Sequence, residues 1–361
     1  MSFMTNEKCD IVIIGAGLTG LALAYFLKDS DYNIQILEAR SRIGGRIHTL
    51  MREGFAPMEM GATWLGKKHT ALTDLLDDLQ LEIFEQRLGG TAVYEPISTS
   101  PPQIVQLPPN DQPSYRIKGG SEALIRRLAD EIKGYCPIHL EQAVTAIEEV
   151  GEEMLVRTST REIRCAVVVS TLPPYLLLKT IKFSPELPPK IQEILTQTHT
   201  WMGESIKVGL HFRKPFWRSG NLSGTIFSNV GPIPEMYDHA DFEDKQFALK
   251  GFLNGVYHTV SKAERLQMVL RQLRKYYGNQ VNDFVEYEEA VWCKESFTFA
   301  PYESHILPHQ NNGHPVLRKP FCNGKLFIGG SETAEQFPGY MDGAVRSAKY
   351  IFSEINSLKM S

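Results

Sequence analysis

The apolar positions near the N-terminus predict a compact unit of alternating elements. Ile11 to Ile14 is a short, β-branched, wholly apolar run, the pattern of a strand buried on both faces. Leu18 to Leu27 is apolar all round, which fits a helix packed against a sheet. Ile34 to Leu37 is a second apolar run, so the segment reads as strand, tight turn, helix, strand: one βαβ unit. Farther along, Gly119 and Gly120 open a helix through "SEALIRRLADEI", and the stretch after it reads as several strands, with a turn near Gly151 and a buried strand from Ala166 to Ser170. Past Pro173 and Pro174 the pattern changes. "SIKVGLHFRKPFW", "GTIFSN" and "FALKGFLNG" predict strands of a partly exposed antiparallel sheet, and "KAERLQMVLRQLRKYYG" an amphipathic helix ending at Gly278. The Pro-rich segment 96–113 predicts an excursion loop. Near the end, "FIGGSETAEQFPGYMDGAVRSA" delivers an apolar strand, two glycines, the carboxylate of Glu332, then Phe-Pro-Gly-Tyr and a helix.

Bulk properties narrow the partners. A chain of 361 residues has room for about two domains, and 42% hydrophobic with 22% charged residues is the balance of a globular protein with a large core. A net charge of -4 gives no basic footprint for nucleic acid or an anionic membrane. No run of ~18 apolar residues is present, and the N-terminus lacks the apolar core of a signal peptide. Five cysteines are scattered without a C-x-x-C pair, so a cytoplasmic, reduced protein is expected. The ten histidines show no metal-ligand spacing, and no metal is expected.

The chemistry concentrates in glycine-rich segments. Gly15, Gly17 and Gly20 form G-x-G-x-x-G directly after a strand and at the mouth of a helix, with Ala16, Leu18 and Thr19 between and around them. Such glycines permit a tight turn, close approach of a pyrophosphate to the helix N-terminus, and close helix–strand packing. Glu38 ends the second strand, where a carboxylate can accept ribose hydroxyl protons. FAD and NAD share this fingerprint. The segment "EARSRIGGR" follows at once, with Ala39, Arg40, the backbone freedom of Gly44 and Gly45, and the guanidinium fork of Arg46. "MEMGATWLG" (Gly61, Ala62, Thr63, Trp64) and the distant Gly329-Gly330-x-Glu332 add two more glycine-rich segments. Several such segments suit the length of FAD better than that of NAD.

As a set, "IVIIGAGLTGL", "LEARSRIGGR", "GATWLG", "KGGSEALIRRL", "VVVSTLPP", "SIKVGLHFRKPFW" and "FIGGSETAEQFPGYMDGAVRSA" resemble the flavin-dependent amine oxidases of the monoamine oxidase and polyamine oxidase family, in family order over most of the chain. The resemblance implies an α/β fold: an FAD-binding Rossmann-type (glutathione reductase-like) domain with a second, mixed α+β substrate domain. It assigns 1–72, 116–184 and 297–361 to the discontinuous FAD domain, and 73–115 with 185–296 to the substrate domain. It implies oxidation of an amine to an imine, with dioxygen reoxidising the flavin and releasing hydrogen peroxide. Alternatives on related scaffolds are an L-amino-acid oxidase, with Arg116 or Arg213 against the substrate carboxylate, and a carotenoid- or porphyrinogen-type oxidoreductase. A flavin-dependent structural or regulatory protein without turnover is another alternative.

The same resemblance distributes roles. Gly330 and Glu332 hold the ribityl-pyrophosphate part of FAD, with Met341 and Ala344 on the helix that follows. Val144 contacts adenine and Trp292 packs by the flavin. Tyr340 and Tyr302 form the two walls of an aromatic cage for the amine. Pro301 stands where mammalian-type monoamine oxidases carry the flavin-linking cysteine, so FAD is expected to be non-covalent. Lys207 resembles the lysine that reaches the flavin N5 through a water; from its strand pattern alone it is either an outward-facing alternate or a buried functional group.

Overall fold

The computed structural model describes residues 5–219 and 222–358. The strand Ile11–Ile14 is central to a five-stranded parallel sheet ordered Ile138–His139, Ile34–Leu37, Ile11–Ile14, Val167–Ser170, Leu326–Ile328. Its alternation explains why no polar residue interrupts it. Ile11 and Ile13 face a core shared with the helices Leu18–Phe26, Glu122–Glu131 and Met341–Leu358, through Leu21, Leu128 and Val345. Val12 and Ile14 face the opposite way, against Ile147, Val156 and Ile163 of a second five-stranded sheet. Both faces are dry, so every position is apolar.

The predicted helix over 18–27 is observed as Leu18–Phe26 with Leu27 as its cap, and the predicted strand over 166–170 as Val167–Ser170. The helix Thr70–Asp78 places Leu72, Leu75 and Leu76 in the same core as Ile11, so the expected boundary after residue 72 falls within a helix of the first layer.

The remaining large sheet has seven strands, ordered Glu286–Val291, Ile206–Phe212, Phe247–Leu253, Glu235–Asp238, Ile226–Ser228, Thr91–Glu95, Gln103–Gln106. It departs from expectation in three ways. The strand Ile206–Phe212 is buried at all seven positions rather than partly exposed. Helix Lys262–Tyr277 covers the face of Ile206, Val208 and Leu210 through Val269, Leu270 and Leu273. On the other face a Cβ at Gly209 would meet the Met58 sulfur at 2.2 Å, so that side is packed too. The sheet is mixed rather than antiparallel, because Ile226–Ser228 runs parallel to Thr91–Glu95. The Pro-rich segment also contains a strand, Gln103–Gln106, pairing antiparallel with Thr91–Glu95; its prolines lie outside the paired residues. Among the described residues no helix is long and apolar enough to cross a membrane.

Candidate functional site

A cavity of about 740 Å³ runs from the glycine turn after Ile14 to the inner face of the seven-stranded sheet. The turn itself explains the glycine spacing. Gly15 has φ +104, a conformation L side chains rarely adopt, and its N–H donates to Leu37 O at 2.8 Å. A Cβ at Gly20 would overlap Gly15 O at 2.1 Å, so the helix can seat against the turn only with glycine there. Gly17 opens on free space and lines the cavity, whereas Ala16 and Gly20 do not. The second glycine segment closes on the first: Gly44 N–H donates to Ala16 O at 2.8 Å, and Gly45, at φ +56, lies against Gly17.

Glu38 is buried and takes the Ala16 N–H at 2.8 Å and the Arg40 N–H at 2.9 Å. Its carboxylate braces the glycine turn while lining the cavity beside Ala39, Arg40 and Val144. The Arg40 guanidinium is committed elsewhere, to Thr298 Oγ1 at 2.6 Å and Glu295 at 3.2 Å. Thr19 donates to Ala344 O at 3.1 Å, tying the first helix to the last, and Leu18, Met341 and Ala344 line the cavity.

Glu332 departs from its expected role. It is fully buried and does not line the cavity; it sits behind Arg46, whose guanidinium donates to both of its oxygens, one at 2.8 Å. Burial alone would raise the Glu332 carboxyl, but Arg46 outweighs it and holds the group below the usual carboxylate range. Arg46 and Gly330 line the cavity, so the glutamate acts through the arginine. Its Oε1 also accepts the Trp201 N–H at 3.2 Å.

Lys207 faces inward. Its side chain is buried, lines the cavity, and donates to Gly61 O. Burial pushes its amine down to about 8, opposed by the charges of Glu59 and Glu235. Strand register places Lys207 directly opposite Phe252, and Phe252 opposite Glu235, so the three stand side by side on one face and all line the cavity. One step along, Lys250 stands opposite Gly209 and Tyr237. Lys250 is fully buried; burial, with Lys207 beside it, brings its amine well below the ordinary lysine range.

The aromatic cage differs from expectation. Tyr340 lines the cavity and is 41% exposed. Tyr302 does not line it: its hydroxyl accepts the Thr200 N–H at 2.9 Å, and its ring packs edge-on against Tyr175 and Phe299 with centroids 5.0 and 5.2 Å away. Two rings approach Tyr340: His69, which does not line the cavity, with centroids 5.7 Å apart, and Trp201, which does, with centroids 6.2 Å apart and planes 33° from parallel. Trp292 lines the cavity and donates its indole N–H to Met60 O at 2.8 Å. Gly61, Ala62, Thr63 and Trp64 line it as well. Trp201, Glu235, Phe252 and Lys250 escape the sequence reading. Only Trp201, an aromatic close before a strand, carries a local signal; the others depend on which strands pair.

The residues fit a bound dinucleotide: an open, Cβ-free surface at Gly17, a carboxylate beside it, and a guanidinium fork held by a buried acid. The family model "Flavin containing amine oxidoreductase" matches residues 18–95 and 98–351. The chain is 24% identical to amine oxidase [flavin-containing] B of Homo sapiens, over 97% of this chain and 86% of that protein. It is 25% identical to amine oxidase [flavin-containing] A of Sus scrofa, over 97% and 85%. Among solved structures, putrescine oxidase bound to putrescine superposes with a TM-score of 0.84 at 22% identity, covering 98% of this chain and all of that one. Cyclohexylamine oxidase from Brevibacterium oxydans IH-35A superposes at 0.82 and 20% identity, covering 97% of this chain and 99% of that one. With its cavity and nearly its whole length accounted for in this way, the chain belongs to the flavin-containing amine oxidoreductases, enzymes whose cofactor is FAD.

Proposed function

We propose that the protein oxidises the C–N bond of an amine carrying a second cationic group, at an FAD held without a covalent link. The chemistry a bound FAD would supply there is acceptance of a hydride from the carbon next to nitrogen and reoxidation by dioxygen to hydrogen peroxide, leaving an imine that water would hydrolyse. The chain's residues bind and orient. Gly15, Gly17 and Gly45 would admit the pyrophosphate, Glu38 the ribose hydroxyls, and Arg46 a phosphate or the polar edge of the flavin. The parallel sheet with its helices is read as the Rossmann-type FAD domain, and the seven-stranded sheet as the substrate domain.

One observation carries the reading: Lys207, Phe252 and Glu235 form a row across three strands along the cavity. Lys207 supplies a cation at one end. The Glu235 carboxylate has one hydrogen-bonding partner among the described residues, the Tyr237 hydroxyl at 2.9 Å, and forms no ion pair there. Two strand spacings, roughly 10 Å, separate the ends of the row. An acid in an aromatic-walled cavity favours an ammonium and opposes a substrate carboxylate. That counts against the amino-acid alternative, as do its arginines: Arg116 is committed to His239 Nδ1 at 3.0 Å and to Ala240 O, and Arg213 is exposed. Putrescine, the ligand of a solved neighbour, is a diamine, which supports the same direction.

The test is peroxide release from butane-1,4-diamine, butylamine and a panel of L-amino acids. The expected order is diamine above monoamine, with no release from amino acids; peroxide from amino acids alone overturns the reading. Acid precipitation should leave the washed pellet colourless, because Pro301 offers no thiol for a link.

A further inference from the structure

A second lysine lies beside the one that faces the cavity, and a hydrogen-bonded chain joins them. Lys250 Nζ bonds to Thr63 Oγ1 at 2.9 Å, the Thr63 hydroxyl donates to Gly61 O at 3.1 Å, and the same carbonyl accepts from Lys207 Nζ. Both amines also approach one ring: Lys250 lies 4.9 Å and Lys207 5.2 Å from the centroid of Phe252. Lys250 is 4.0 Å from the Trp64 ring as well. The register explains the proximity. Lys207 is opposite Phe252 and Lys250 opposite Gly209 on the same strand pair, so the lysines are diagonal neighbours on one face, roughly 7–8 Å apart at the backbone.

The surroundings do not neutralise two ammonium groups. The charged and titratable groups facing Lys250 are Glu59, Arg116, Lys207, Glu235, Tyr237 and His239. Among the described residues, none of the carboxylates is within ion-pair reach of Lys250, and Glu59 is already engaged by Thr49 and Ser121. Arg116 is a further buried cation. Two positive charges on one dry hydrogen-bonded chain repel strongly, and burial disfavours each of them. One charge is the economical state until negative charge enters the cavity.

We propose that Lys250 is a positioning residue of the flavin centre: the Lys250–Lys207 pair carries one ammonium charge while the flavin is oxidised and binds one more proton when it is reduced. This rests on the reading of Lys207 as the lysine beside the flavin. The balance is simple. Two electrons and one proton reach the flavin from the substrate carbon as hydride, and one further proton comes from solvent to the lysine pair. No further oxidant is needed. Thr63 lines the cavity and its Oγ1 bonds to Lys250 Nζ, so its hydroxyl is the route by which that proton reaches Lys250; the Gly61 carbonyl only accepts and relays none to Lys207.

The test is the flavin midpoint potential against pH, measured on holoenzyme by dye equilibration. The measurement needs no amine, so failure of amine turnover and failure of this proposal are read separately. One proton per two electrons gives a slope of about 30 mV per pH unit, and two protons give about 60 mV. Wild type should fall at about 60 mV per unit across neutral pH, and Lys250→Met at about 30 mV. A Lys250 with a purely structural role would leave the two slopes equal, and that result overturns the proposal. A wild-type slope of about 30 mV overturns it without any variant, so poor folding of Lys250→Met leaves the test intact.

Discussion

Replacing Glu332 by Gln removes the charge from a buried ion pair while keeping the shape of the side chain. Glu332 is fully buried and bidentate to Arg46, whose side chain is 26% exposed toward the cavity. Removing one partner of a buried pair costs ~3–5 kcal/mol, because the remaining charge stays desolvated. Water on the open side of Arg46 screens part of this, so ~3 kcal/mol is the expected loss. In a protein of this size that lowers Tm by roughly 4 °C. The assay is thermal unfolding by circular dichroism, with both proteins at the same flavin concentration so that ligand binding does not differ by mass action. An Arg46→Gln/Glu332→Gln double variant should recover part of the loss, since the orphaned cation is gone. The pH dependence has a defined sign. Glu332 titrates lower in the folded than in the unfolded chain. Its contribution is therefore present above the ordinary carboxylate range and is lost as pH falls through the lower folded value, and the Gln variant should lack that acid-side decline. A loss under ~1 kcal/mol, or a double variant that is fully additive, would refute the placement of Glu332 as the buried support of Arg46.

The two tyrosines should separate. Tyr340→Ala should lower kcat/KM for amines with flavin still bound, whereas Tyr302→Phe should keep near wild-type kinetics and lose ~1 kcal/mol of stability with the Thr200 hydrogen bond; matching kinetic losses in both would restore the Tyr302–Tyr340 pair as the cage. Lys207, with its amine pushed down to about 8, should give flavin reoxidation by dioxygen that slows as pH rises through that value and the ammonium is lost. Lys207→Met should be slower by about tenfold below that pH, ~1.4 kcal/mol, and flat across it; stopped-flow traces of equal rate for the two proteins would remove Lys207 from oxygen chemistry.

Local pattern was enough for the parts of this protein whose constraint is itself local. Ile11–Ile14 must be apolar at every position because sheet or helix covers both faces, so its run reads directly as a buried strand. Gly15 and Gly20 answer to a positive φ and to an overlap within one turn, so their spacing announces a phosphate-sized gap without any distant partner. Glu38 follows from the same unit, since the parallel pairing of Ile34–Leu37 with Ile11–Ile14 brings its carboxylate to the Ala16 N–H.

Tertiary structure decided what depends on partners far along the chain. In "IKVGLHF" every residue is buried, so alternation could not tell which face of the strand Lys207 takes; helix Lys262–Tyr277 claims one face and leaves Lys207 the other. Glu332 and Tyr302 carry the motif positions of a ligand contact, yet packing turns the first behind Arg46 and the second toward Tyr175. Trp201 takes the place beside Tyr340, 139 residues away in sequence. Glu235 and Lys250 acquire their surroundings only through strand register, in which a slip of one residue would turn each to the opposite face. A sequence window specifies period and turn, whereas register is fixed by the packing of the whole sheet. That is why the cofactor cradle could be read along the chain and the chemistry of the cavity's far wall could not.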